Sequence, residues 1–303
     1  MIDPLKRLRV PVFQAPMFLQ SGPEMVIAAC KAGIVGSFPS INARTTEELE
    51  AWLDKITAAV DENDAPWAIN LMMHRSNSRR MDDLALAERY QAPLVITALG
   101  SPQEAVERVH AYGGKILADV IDMRFAAKAI AIGVDGLVLV AAGAGGHTGQ
   151  LSGFAFVQEV RQHFEGIVVL GGGISTGRAV RAAEVLGADY AYMGTRFIAS
   201  SESMAEADYK NMVVEATGSD IVCSDALTGV KANWLRTSLE RAGYDPNNMP
   251  SAGDIDIIKS AGDVKRWRDV WAAGQGAGSV NDILPIAAIV ERLEREYREA
   301  CDL

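Results

Sequence analysis

The chain has 303 residues, of which 49% are hydrophobic and 22% charged, and its formal net charge is -10 at pH 7. This acidity gives no electrostatic reason to expect a nucleic-acid partner or an anionic membrane surface. The amino-terminal sequence has no apolar signal segment, so we expect a cytoplasmic protein that does not enter a membrane.

Eight β-rich segments alternate with helical patterns along the first two thirds of the chain. The predicted strands are Val10–Ala15, Ile34–Ser37, Trp67–Leu71, Leu94–Thr97, Lys115–Val120, Gly136–Val140, Ile167–Leu170 and Tyr190–Met193. The predicted helices are Glu24–Ala32, Glu47–Val60, Met81–Tyr90, Gln103–Tyr112, Arg124–Ile132, Ala155–His163 and Arg178–Leu186. Strict alternation with almost continuously apolar strands predicts a parallel sheet, and eight units favour a closed (β/α)8 TIM barrel, an α/β fold, over an open sheet.

Local signals mark several helix ends. Thr45 followed by Glu48 is typical of a capping box. Glycines at 33, 113, 133 and 187 stand where helices are expected to end.

The pattern loosens in the last third of the chain. We therefore predict that residues 1–217 and 284–303 form the barrel, with an amphipathic helix over Leu284–Ala300, and that residues 218–283 form a small C-terminal inserted subdomain or lid. Trp267 and Trp271, four residues apart, predict one apolar helical face.

Two glycine-containing loops follow the seventh and eighth predicted strands. The first is GGGISTG, residues 171–177, which runs into a helix; the second is YMGTRF, residues 192–197, which adds Gly194, Thr195 and Arg196. Backbone N–H groups and a helix N-terminus favour an anion, and barrel enzymes often hold phosphate with these two loops. The alternative is that the glycines only make tight turns.

A histidine follows the sixth predicted strand, within LVLVAAGAGGHTGQ at residues 137–150. The glycines around it would let the backbone approach a flat ring, and the imidazole of His147 could exchange a proton near neutral pH. The alternative is a histidine that only bonds a loop carbonyl. His74, after the third strand, is a second pocket candidate with the same alternative, and no ligand spacing indicates a metal.

The motifs AGGHTG, GGGIS and YMGTRF resemble those of the nitronate monooxygenase family, formerly called 2-nitropropane dioxygenases, and of the related FMN-dependent enoyl-acyl carrier protein reductases. The similarity extends to QAPM, NLMMHRSN, GVKANWLR and AGQGAG. The segment VAAGAGGH lacks the glutamine and glutamate typical of the family's Q-G-x-E-A-G-G-H. HRSN and GVKANWLR are more similar to a second group, some of whose members act on acyl-CoA or related carbonyl substrates.

The resemblance implies a barrel that binds FMN non-covalently, with His147 as catalytic base. It implies phosphate contacts from Gly172, Gly173, Gly194 and Thr195, and further flavin contacts from the neighbouring Tyr192 and Met193. It also implies ring contacts from Ala15, Pro16, Met17, Asn70, Gly145 and Gly146, and a pocket position for Gln275.

Three functions follow as hypotheses. The first is oxidation of nitronates or nitroalkanes by O2, with FMN as cofactor and His147 as base. The second is an FMN-dependent NAD(P)H reductase or dehydrogenase that acts on an enoyl or ring-containing acyl-CoA or other thioester. The third is a barrel that binds a phosphorylated ligand without redox chemistry. A small-molecule substrate and a homodimer are expected in addition.

Overall fold

The computed structural model describes residues 4–250 and 267–303, and its centre is a barrel of eight parallel strands. The barrel strands are β1 (Val12–Gln14), β2 (Gly36–Pro39), β3 (Trp67–Met72), β4 (Leu94–Ala98), β5 (Lys115–Val120), β6 (Gly136–Val140), β8 (Ile167–Gly171) and β9 (Tyr190–Met193). The helices are α1 (Pro23–Ala32), α2 (Thr46–Ala59), α3 (Arg80–Arg89), α4 (Gln103–Ala111), α5 (Met123–Ile132), α6 (Gly153–Arg161), α7 (Gly177–Leu186), α8 (Thr195–Ile198), α9 (Ala207–Glu215), α10 (Arg236–Arg241) and α11 (Ile286–Cys301). No helix within this part of the chain is long and apolar enough to cross a membrane.

The strands are hydrogen-bonded in the order β1-β9-β8-β6-β5-β4-β3-β2, and β1 and β2 meet to close the ring. At this seam Phe13 bridges Val35, and the Gln14 backbone N–H donates to the Val35 carbonyl over 2.8 Å. The predicted TIM barrel is therefore confirmed.

Apolar side chains fill the barrel and also separate it from its helices. The interior cluster contains Leu5, Phe13, Val35, Ala68, Leu94, Ile96, Leu117, Val138 and Val169. Because side chains alternate along a strand, the residue two positions after each interior one also faces inward, one layer nearer the carboxyl ends of the strands. That upper layer is where barrel enzymes place their chemistry.

Prolines account for two of the element ends that differ from prediction. The first strand begins at Val12, two residues later than predicted, because Pro11 has no N–H to donate to a neighbouring strand. The last helix begins at Ile286, since Pro285 disfavours helical backbone at the residue before it. Thr45 accepts the N–H of Glu48 as predicted, but the Glu48 carboxylate accepts the N–H of Arg44, so only half of the capping box forms.

The carboxyl-terminal helix α11 packs against α1 and α7 and completes the outer layer. Ile286, Ile289, Val290 and Leu293 form its buried face. Gly177, at the start of α7, lies so close to the Leu293 carbonyl that a β-carbon there would collide with it. This close approach of α7 and α11 explains why residue 177 is a glycine, although the sequence predicted that it belongs to a phosphate-binding loop.

A small antiparallel sheet rises above the barrel and joins the last third of the chain to it. Its strands are β7 (Gly146–His147), β10 (Ile221–Ser224) and β11 (Ala232–Leu235), in the order β10-β11-β7. Trp234 of β11 forms an apolar cluster with Leu227, Leu239 and Val270. Part of the predicted lid, residues 251–266, lies outside the described residues, and the predicted domain division stays a prediction.

The predicted helical face of two tryptophans is wrong. Trp267 has a left-handed backbone with φ of 67° and contacts His147, whereas Trp271 stacks on Tyr209 with ring centroids 5.0 Å apart. The spacing of four residues was misleading because this segment crosses from one cluster to another and is not helical.

Candidate functional site

The carboxyl ends of the barrel strands form a mouth in which the loops after β1 and β9 touch. The Ala15 N–H donates to the Met193 carbonyl over 2.9 Å. A β-carbon built on Gly194 would lie 3.4 Å from the Met17 sulfur, an ordinary van der Waals contact, so the two loops are neighbours here. The Met193 side chain is in the core beside α11, so only its backbone belongs to this contact.

The small sheet fixes the backbone of His147. His147 is paired with Ala232, and Gly146 with Asn233, in antiparallel register. The Asn233 side-chain amide also donates to the Ala144 carbonyl over 2.7 Å. The glycine-rich loop is therefore held by strand pairing with β11, a partner more than 80 residues further along the chain.

The His147 imidazole lies in an aromatic niche. The Trp267 ring meets it edge-on, with centroids 5.2 Å apart and planes at 77°, and Trp267 in turn packs on Trp234. Its Nε2 atom is buried and has no hydrogen-bond partner among residues 4–250 and 267–303. Burial disfavours the imidazolium and lowers the pKa of His147 to about 4, so the ring is neutral at pH 7.

Two glycines of this loop, Gly143 and Gly145, pack closely against the segment AGQGAG. A β-carbon on Gly145 would lie 2.8 Å from the Gly274 nitrogen, and one on Gly143 would lie 2.8 Å from the Gln275 Oε1. The Gln275 N–H also donates to the Gly143 carbonyl over 2.9 Å. Gln275 itself is exposed and covers the loop from outside.

The loop after β8 offers the open backbone that a phosphate would need. Gly172 is close to the Ala142 carbonyl, 2.8 Å from a built β-carbon, whereas nothing lies within 4 Å of one on Gly173, whose φ is 70°. Ser175 is 5% exposed, and its hydroxyl has no partner within the described part of the chain. Ser175 and Arg196 also line a cavity of about 310 Å³. A second cavity, of about 290 Å³, lies at the opposite end of the barrel and is remote from these loops.

The N-terminus of α7, suggested by the sequence as part of the phosphate site, is already covered. The Gly177 N–H donates to the Glu296 carboxylate of α11 over 2.8 Å. Thr195 accepts the Gly274 N–H over 2.9 Å, and Arg196 is paired with Asp282 over 3.1 Å. A phosphate here would therefore depend on the glycine loops and hydroxyls, because α7 and Arg196 are already bonded to carboxylates.

Asn70 and His74 both follow β3 but differ in their surroundings. Asn70 is buried and its amide makes a long bond, 3.3 Å, to the Ile96 carbonyl, which leaves its oxygen for a ligand. His74 is bonded through Nδ1 to the Ser76 hydroxyl over 2.7 Å. That bond matches the loop-anchoring alternative for His74.

Two polar groups in the mouth were missed or only partly predicted. Asp119, on β5, was missed. Tyr192, on β9, was predicted to contact the flavin only because it belongs to the motif YMGTRF. Asp119 could have been found as the one acid in the strand KILADV, whose residues after Lys115 are otherwise apolar. Trp267 was missed because it reaches His147 from a distant segment, and no local pattern reveals such a contact. Among the described residues there is no group of three or more His, Cys, Asp or Glu side chains that could hold a metal ion.

Comparison with known proteins gives a family match over most of the chain. The model of the family described as "Nitronate monooxygenase" matches residues 77–296. A nitronate monooxygenase of Paraburkholderia phytofirmans is 25% identical over 355 residues, covering 99% of this chain and 95% of the relative.

Two further proteins are similar. A (3aS,4S,5R,7aS)-5-hydroxy-7a-methyl-1-oxo-octahydro-1H-indene-4-carboxyl-CoA dehydrogenase of Rhodococcus jostii is 27% identical, covering 79% of this chain and 66% of the relative. The solved structure of nitroalkane oxidase from Streptomyces ansochromogenes has a TM-score of 0.85 at 22% identity, covering 98% of this chain and 99% of that one. The similarity to the nitroalkane oxidase structure shows a shared fold.

Proposed function

Because the chain belongs to the nitronate monooxygenase family and is an oxidoreductase, we propose that it binds FMN and oxidises nitronates or nitroalkanes with O2, using His147 as base. The observation that carries the proposal is the neutral imidazole of His147, whose Nε2 atom is buried and unpaired among the described residues. Membership of an oxidoreductase family argues against the third hypothesis, a barrel that binds a phosphorylated ligand without redox chemistry.

The residues present fit a phosphorylated flavin. Gly172, Gly173, Gly194 and Thr195 would hold its phosphate, and the unpaired Ser175 hydroxyl can add a bond that the sequence did not suggest. Ala15, Met17 and Asn70 would hold the ring from the other side of the mouth. When bound, FMN would supply the two-electron redox chemistry that links oxidation of the substrate to reduction of O2.

The role of His147 follows from its surroundings. The unpaired Nε2 of a neutral imidazole can accept the proton from the carbon next to a nitro group. Burial weakens the base, but the negative charge that forms on the nitro group lies beside the new imidazolium and favours it. Trp267 and Trp234 pack behind the ring and restrict water.

A second candidate is supported by the relative from Rhodococcus jostii, whose name describes dehydrogenation of a carboxyl-CoA thioester. A proton next to a thioester carbonyl is acidified in the same way as one next to a nitro group, so the same base could remove it. The homodimer, the use of NAD(P)H and the cytoplasmic location rest on the sequence alone.

The test is reduction of the FMN-loaded protein under anaerobic conditions, followed by the visible flavin absorbance. We expect a nitronate to bleach the flavin without NAD(P)H, and admission of O2 to restore the colour. Bleaching by an acyl thioester alone would favour the second candidate. A protein that cannot bind FMN, or that is bleached only by NAD(P)H, would contradict the proposal.

A further inference from the structure

Asp119 and Tyr192 place two polar atoms in the apolar interior of the barrel. Leu117 belongs to the interior cluster, so Asp119, two residues later on β5, also faces inward. By the same alternation Tyr190 and Tyr192 of β9 face inward, with Tyr192 one layer nearer the mouth. Val138 and Val169, one layer deeper, offer neither donors nor acceptors, and Asn70, two residues after Ala68 on β3, lies in the same upper layer as Asp119.

Both polar atoms are unpaired. Asp119 Oδ1 and Tyr192 Oη are buried and make no hydrogen bond with any residue of 4–250 or 267–303. Burial raises the pKa of Asp119 to about 7, and burial, followed by the charge of Asp119, raises the pKa of Tyr192. Buried polar groups normally have hydrogen-bond partners. Two such groups without partners, both facing the mouth of a barrel, indicate a ligand site.

The two groups differ in what they offer. A carboxylate oxygen accepts a hydrogen bond, and a tyrosine hydroxyl can donate one. A ligand that satisfies both must carry an N–H or O–H donor beside a carbonyl acceptor on an edge that enters the barrel. The imide of the flavin pyrimidine ring has this pattern, an N–H flanked by two C=O groups, whereas the dimethylbenzene edge of the same ring has neither.

We propose that Asp119 and Tyr192 bind the imide edge of the flavin, with the Asp119 carboxyl accepting its N–H and the Tyr192 hydroxyl donating to an adjacent carbonyl. The inference rests on the proposed binding of FMN and adds the orientation of the ring: its polar edge is turned toward β5 and β9. His147 comes from the small sheet above the barrel, so the two sets of groups have separate tasks. Asp119 and Tyr192 position the ring, while His147 handles the substrate proton.

The experiment compares FMN with 3-methyl-FMN, in which a methyl group replaces the imide hydrogen, by titrating the flavin-free protein and following quenching of flavin fluorescence. At pH 8.5, above the pKa of Asp119, a hydrogen bond to its charged carboxylate predicts that the wild-type protein binds FMN at least about tenfold more tightly than the analogue. Asp119→Leu keeps the bulk of the side chain but removes the acceptor. In this variant we expect FMN to bind no more tightly than the analogue, with the affinity for the analogue retained or improved.

Tyrosine variants test the other half of the pair. Tyr192→Phe should weaken FMN and 3-methyl-FMN by the same factor, about three- to tenfold, because both keep the carbonyl. Tyr190→Phe is the matched control, since Tyr190 lies on the same face of β9 but bonds toward Leu5 at the other end of the barrel over 3.4 Å. It should leave both affinities unchanged.

The outcomes separate this inference from the proposed function. Equal binding of FMN and the analogue by the wild-type protein, or discrimination that persists in Asp119→Leu, would overturn the orientation while FMN binding stands. If the wild-type protein binds neither flavin, the proposed function fails together with the inference. The wild-type comparison needs no variant, so a variant that folds poorly does not affect it.

Discussion

At the scale of single residues, the state of His147 is decided by its burial. The imidazole is packed against Trp267 and its Nε2 has no partner within the described residues, so nothing nearby compensates a positive charge. A histidine in water has a pKa of about 6.5, so it is half protonated at pH 6.5. In this niche the neutral form is favoured down to a much lower pH.

This predicts the acid limb of the pH profile. Because the pKa of His147 is lowered to about 4, the base is deprotonated above that value and is lost only as the pH falls through it. We expect kcat/KM for a neutral nitroalkane to change little between pH 8 and pH 5 and to fall below that range. Initial rates across this range check the prediction, and a decline centred near pH 6.5 would show that His147 is exposed to water in the free enzyme.

The sequence could reveal His147 and the glycine loops but not their neighbours. His147 stands in a local pattern of glycines that few structural roles require. Asp119 stands in the predicted strand KILADV, and only the alternation of a closed barrel shows that it faces inward. Trp267 depends on a contact across 120 positions, which periodicity cannot detect and which the helical interpretation of the two tryptophans obscured.

At the scale of elements, the covered N-terminus of α7 changes where the phosphate would bind. Glycines that run into a helix are typical of an anion site, and this pattern led to the prediction. In the structure, however, Glu296 of α11 accepts the Gly177 N–H, so a carboxylate of the protein already satisfies this helix end.

The small sheet that holds His147 could not be predicted from the sequence. Its strand β7 has only two residues, which is too short for a strand pattern to be recognised.

The helix contact can be tested with Glu296→Ala. Loss of a charged acceptor at a helix N-terminus should lower the free energy of unfolding by about 1 to 2 kcal/mol. FMN affinity should stay within about twofold, because the proposed phosphate contacts come from the glycine loops and Ser175. Denaturant unfolding and an FMN titration measure the two effects.

Glu299→Ala is the matched control, since Glu299 is exposed on the same helix. It should change neither quantity. A large gain of FMN affinity in Glu296→Ala, without a similar gain in the control, would mean that the freed N-terminus of α7 takes part in the phosphate site.

At the scale of the whole molecule, the eight repeated strand-helix units are sufficient to predict the fold from the sequence. Each apolar strand must be buried on both faces, and eight strand-helix units can meet that need by closing the sheet. The last third of the chain was less predictable, because its residues pack around the mouth through AGQGAG and β11 and not through a repeated pattern. The same packing brings distant segments to His147, so the barrel and the added sheet form the site together.

The central claim is that His147, at the mouth of this barrel, removes a proton from the substrate. The most direct measurement is anaerobic bleaching of FMN-loaded His147→Ala by a neutral nitroalkane and by the corresponding preformed nitronate, with His163→Ala, an exposed histidine, as control. We predict that His147→Ala keeps its FMN and is bleached by the nitronate, which needs no base, but not by the neutral nitroalkane, whereas the control is bleached by both. Bleaching of His147→Ala by the neutral nitroalkane at the wild-type rate would contradict the account.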